Sequence, residues 1–167
     1  NYDTAVYKAV KRLQQKPDHK KASRVLREAY SLAVDQHMAS IEYLDKSNRA
    51  FKYDAMVEEY EQVRMLNQSI LRYPQYAKLV TLVNVDDEIS FTQKEAARVH
   101  IAEAESLMNK STKAHARDAF YHYSRASYFT PANTALYDKM DEALMAGTVH
   151  VGIDFSSTRR FFRDFQT

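Results

Sequence analysis

The chain has 167 residues, 45% hydrophobic and 28% charged, which is enough to bury one sizeable core. With two glycines and three prolines it is short of turn formers, which argues for long helices joined by short connections and against a β-rich fold. No apolar run approaches the ~20 residues of a membrane span, and the lack of cysteine excludes disulfides, thiolate metal sites and cysteine nucleophiles.

The net charge of +2 is unevenly placed. Residues 1–27 carry Lys8, Lys11, Arg12, Lys16, Lys20, Lys21, Arg24 and Arg27 against Asp3 and Asp18, a local charge of +6 that leaves −4 on the remainder.

Val6, Ala9, Val10 and Leu13 recur at helical spacing and predict a first amphipathic helix that stops near Pro17. Asp18 is the expected N-cap of a second helix, whose core stripe is Ala22, Val25, Leu26, Ala29, Leu32 and Ala33. A third helix is expected over 37–47. A fourth, over 53–73, buries Met56, Tyr60, Val63, Leu66 and Ile70 before Pro74 ends it. Residues 79–91, "LVTLVNVDDEISF", read as an extended or irregular connection because β-branched residues precede three acids. Thr92 and Glu95 then have capping-box spacing and predict that a helix opens there.

In residues 116–131, "ARDAFYHYSRASYFTP", one helical face collects Ala116, Ala119, Phe120, Tyr123, Ala126 and Ser127. That stripe reads as core packing, which leaves Tyr121, His122 and Tyr128 for the surface. Thr130 as N-cap, Pro131 at the first helical position and Gly147 just past the end bound the last helix. "TVHVGIDF" (148–155) alternates like a strand. The expected division is a helical domain over 1–147 and, over 148–167, a strand-like extension that begins a β-rich domain.

Ala22, Leu26 and Ala29 step forward 34 residues onto Met56, Tyr60 and Val63, and Ala119, Tyr123, Ala126 and Pro131 repeat the spacing with a closing proline. This pattern resembles the second helix of a tetratricopeptide repeat, although the first-helix Trp and Leu-Gly signature is missing. The resemblance implies an all-α, tetratricopeptide-like array of about six antiparallel helices with a short strand-like C-terminal extension. "RVLREAYSLA", the stretch at 116–131 and "DEALMAGTVHVGIDF" together resemble uncharacterised envelope lipoproteins of the Bacteroidetes group. That resemblance implies a cell-envelope location, periplasmic or outer-membrane, with membrane contact only through a lipid anchor upstream of Asn1; a cytoplasmic location is the alternative.

No catalytic signature accompanies these helices. His115 and His122 lie two turns apart on one helix, about 10 Å of rise, too far for one metal ion without other ligands. The acids at Glu58, Glu59 and Glu61 and at Asp86, Asp87 and Glu88 read as solvated faces rather than acid–base pairs. The reading is therefore a non-enzymatic interaction module, without cofactor or metal, that binds a protein or peptide partner of unknown identity. Two alternatives stay open. One is a binder of nucleic acid or an anionic surface through the basic helices, against which stands the lack of a nucleic-acid motif. The other is the helical part of a hydrolase whose active site lies outside this chain. In the tetratricopeptide-like register, the first groove candidates are Tyr7, Lys8 and Lys11 on the first helix and Ile41, Glu42 and Asp45 on the third.

Overall fold

The computed structural model describes residues 1–149, so the strand-like stretch lies outside the described residues except for Thr148 and Val149, which follow the last helix. Within the described residues 79% are helical and no strand forms. The elements are α1 (Tyr2–Gln15), α2 (Lys20–Lys46), α3 (Lys52–Leu71), the single-turn α4 (Pro74–Ala77), α5 (Asp86–Met108), α6 (Lys113–Phe129) and α7 (Ala135–Gly147). Each long helix packs on its neighbour along the chain, and α1 also reaches α3.

Two main cores follow from this order. The first joins α1 (Val6, Val10, Leu13) to the N-terminal half of α2 (Leu26, Ala29, Tyr30, Ala33), the C-terminal half of α3 (Val63, Leu66, Ile70), Tyr76, Val85 and Ile89. The second joins Val57 to α5 (Ala96, Ala97, Ala104, Leu107), α6 (Ala119, Tyr123, Ala126, Phe129) and α7 (Leu136, Ala143). Alanines at the α5–α6 contact let the two backbones approach, and Tyr123 and Phe129 fill the space beside them. Between the two lies a small cluster of Ile41, Leu44 and Met56.

Several local expectations are corrected. The second and third helices are one helix of 27 residues, because nothing between Lys20 and Lys46 breaks it. The 34-residue spacing therefore joins α2 to α3, consecutive helices that pack on each other. His19, not Asp18, caps α2: its Nδ1 accepts from the Ala22 N–H at 3.1 Å, and Asp18 sits one residue too early.

The helix expected to open at Thr92 opens at Asp86. Its first turn holds Asp86, Asp87 and Glu88, carboxylates that a helix N-terminus favours, and Thr92 is a buried residue inside it. Only the earlier part of the 79–91 stretch is irregular. Thr130 closes α6 instead of opening the next helix. Its N–H and hydroxyl both donate to the Ala126 carbonyl, and the following Pro131 pushes it out of helical geometry. Helix α7 starts at Ala135, after a turn, with Thr134 in the cap position.

Gly147 is the last residue of α7 and has no positive φ. Its role is close approach. A Cβ there would come within 2.9 Å of Arg117 Cγ, and its carbonyl accepts from Arg117 Nε at 3.0 Å.

Candidate functional site

Helices α2, α3 and α5 converge on a groove. Asp45 comes from the end of α2, Tyr53, Met56 and Tyr60 from α3, and Asp87, Glu88, Phe91 and Thr92 from α5. Its volume is ≈ 510 Å³, within the ~300–1,000 Å³ usual for ligand pockets. Helical spacing explains the lining: Tyr53, Met56 and Tyr60 fall three and four residues apart on one face of α3, and on α5 Phe91 stands four residues from Asp87 and three from Glu88. Met56 is buried at the base, whereas Phe91 is 65% exposed on the rim.

The groove is electrically negative. Asp87 and Glu88 have no ion-pair partner among the described residues. Burial raises the Tyr60 phenol above its ordinary range, and the carboxylates of Glu88 and Asp45 raise it further. Two cations of these helices are engaged within the chain. Lys52 donates to the Asp45 carboxylate at 3.2 Å, and Arg98 donates to Glu95 at 2.8 and 3.0 Å.

On the other side of α3, a more polar cavity of ≈ 330 Å³ is lined by Asp54, Glu58, Glu61, Arg64, Arg125 and Phe129, among others. Its charges are largely paired within the chain, Arg64 with Glu61 at 2.6 Å and Arg125 with Asp54 at 2.7 Å.

Beside it stands a histidine pair that has no signature in the sequence. His100 Nε2 faces both Asp54 oxygens at 3.1 Å, and its Nδ1 lies 2.8 Å from His122 Nδ1. Phe51 stacks on both rings, with centroids at 4.6 and 5.1 Å. It holds that place in the left-handed region, at φ 56°, a conformation that costs a non-glycine residue roughly 1–2 kcal/mol. With Asp54 accepting from His100 Nε2–H, His100 Nδ1 accepts a hydrogen bond from His122 Nδ1–H, and one chain of bonds links α3, α5 and α6. Burial pulls the His122 imidazole below its ordinary pKa, and the neighbouring His100 adds to that.

His122 is therefore half-buried rather than left for the surface, while Tyr121 and Tyr128 are exposed. A second buried histidine, His37, lies between Glu59 at 2.6 Å and Asp3 at 3.2 Å, tying α1, α2 and α3. Both contacts join residues far apart in the chain, so no local pattern announces them. Among the described residues, no group of three or more His, Asp or Glu side chains is placed to hold a metal ion.

Of the residues expected in a groove, Asp45 lines this one. Ile41 is buried with Leu44 and Met56 beneath it, and Glu42 is exposed and pairs with Lys46. Tyr7, Lys8 and Lys11 are exposed on α1 and do not line the groove. Asp87, Glu88 and Phe91 have no helical face in a sequence whose residues 79–91 read as an irregular connection, and Tyr60 reads from its spacing as core, so neither wall is legible as a groove. The eight basic residues of the N-terminal end are all exposed. Compared with known proteins, the chain matches no family model, no curated protein and no solved structure.

Proposed function

We propose that this chain is a non-enzymatic protein-interaction module, a tetratricopeptide-like array whose α2/α3/α5 groove holds a segment of a partner protein. The observation that carries the reading is the groove itself, an apolar and aromatic floor under a rim where Asp87 and Glu88 have no ion-pair partner among the described residues and Phe91 is presented to solvent. Such a rim excludes water from a docked segment, while the buried floor supplies the apolar contact. The stacking of each long helix on its chain neighbour supports the array part of the reading. Membership of a larger exported, envelope-associated protein rests on the sequence resemblance; among the described residues no helix is long and apolar enough to cross a membrane.

The test is a photo-reactive phenylalanine analogue placed at Phe91 in the full chain within its native cells, with the same analogue at Tyr121 as control. A discrete adduct from position 91 that position 121 does not give supports the groove. The same adducts from both positions, or none from 91, remove it.

A further inference from the structure

We infer that the segment held by this groove is basic: a Lys or Arg beside an apolar or aromatic anchor, contributed by a partner protein. The inference rests on the interaction reading above and adds the chemistry of the partner. Its strongest support is a contact the chain already makes with itself. The Lys52 ammonium bonds the Asp45 carboxylate and lies 5.4 Å from the centre of the Tyr53 ring, so one wall of the groove holds a cation between a carboxylate and an aromatic face. The opposite wall repeats the ingredients without the cation. Asp87 and Glu88 stand unpaired among the described residues, and the Tyr60 and Phe91 rings line the space between. A Lys or Arg entering there meets a carboxylate and a ring, and its apolar neighbour covers Phe91.

The same charges reject the other candidates. An acidic peptide or a phosphate backbone would bring negative charge against Asp87 and Glu88, and Lys52 on the other wall is already engaged by Asp45. Like charges at the rim cost affinity.

The experiment selects a displayed library of random dodecapeptides on the full chain, on Asp87→Lys/Glu88→Lys and on Phe91→Ala, with Glu28→Lys as a charge control away from the groove. All substituted positions are exposed, but Lys at 87 and 88 also opposes the N-terminal end of α5, so Asp87→Asn/Glu88→Gln, which removes the charge without reversing it, is carried beside it. Its circular dichroism should match the unaltered chain, and it should bind the same peptides more weakly. Peptides enriched on the unaltered chain should carry Lys or Arg within a few positions of an aromatic or aliphatic residue. When synthesised, they should bind the two groove variants at least about tenfold more weakly, bind Glu28→Lys equally well, and weaken as salt is raised. Acidic or uncharged peptides that still depend on Phe91 would overturn the basic partner and leave the groove reading standing. Peptides indifferent to every substitution, or no enrichment at all, would overturn both. A dimer of the full chain that falls apart on Asp87→Lys/Glu88→Lys would also overturn the inference, because the occupant would then be the basic end of a second copy.

Discussion

Removing one oxygen atom at Tyr30 tests how the irregular segment before α5 is held. The Tyr30 ring is buried, and its hydroxyl donates to Asn67 Oδ1 at 2.7 Å while accepting from the Val83 N–H at 2.9 Å. Asn67 closes the circuit by donating to the Val83 carbonyl at 2.7 Å. Burial raises the Tyr30 phenol, and the Val83 N–H bond pulls the other way without offsetting it. Tyr30→Phe keeps the ring and its packing, so the apolar contribution cancels and only the polar one changes. Two hydrogen bonds are lost at about 1 kcal/mol each. The exposed Val83 N–H regains water, but buried Asn67 Oδ1 is left without its donor, which adds about 1 kcal/mol or more. The expected cost is about 2–3 kcal/mol, read from urea unfolding followed by circular dichroism with linear extrapolation. Changing Asn67→Leu in the Tyr30→Phe background should then cost less than in the unaltered chain, and the double-mutant cycle should return a coupling of about 1 kcal/mol or more. A Tyr30→Phe cost below about 0.5 kcal/mol would refute the reasoning. Val83 lies two residues before the cap of α5, so this network also sets where Asp87, Glu88 and Phe91 stand.

Three other outcomes are expected. Tyr123→Ala should cost about 3–5 kcal/mol while Tyr121→Ala stays within about 0.5, because the first is 4% exposed in the α5–α6–α7 core and the second 58% exposed; equal urea midpoints would show that the helix face is wrong. His122 is held below its ordinary pKa of 6.5, so the unfolded chain takes up the proton first: its contribution is intact above that pH and falls as pH drops through it, levelling off below the depressed value. His122→Gln should remove that part of the acid sensitivity, and parallel losses in both proteins over pH about 7.5 to 5 would exclude it as the cause. Asp54→Ala should cost about 3 kcal/mol in the same urea assay, since it strips the partner from buried His100 and from Arg125 at once; a loss under about 1 kcal/mol would mean the cluster behaves like an exposed ion pair.

Helical class and most core faces were legible in the residues alone. Scarce glycine and proline leave few places to stop a helix, and a buried helix face must recur at three- and four-residue spacing whatever it packs on. Val6, Ala9, Val10 and Leu13 are buried for that reason, as are Ala116, Ala119, Tyr123 and Ala126. Helix ends were less legible. A cap depends on where the backbone leaves helical geometry, and His19 or Thr134 can hold that place as readily as Asp18 or Thr130. The run from Leu79 to Phe91 shows the limit most clearly. β-Branched residues before Asp86 hid a helix start, and with it the face that carries Phe91 to the groove.

The remaining features follow from packing, because the docking of helices and not sequence distance chooses which side chains meet. His100 meets His122 when α5 turns back on α6, His37 meets Asp3 and Glu59 when α1 and α3 close on α2, and Asp45, Tyr60 and Glu88 come to line one groove where α2, α3 and α5 converge. Each of these pairings depends on the angle and register of two packed helices, which a one-dimensional pattern of apolar residues leaves free.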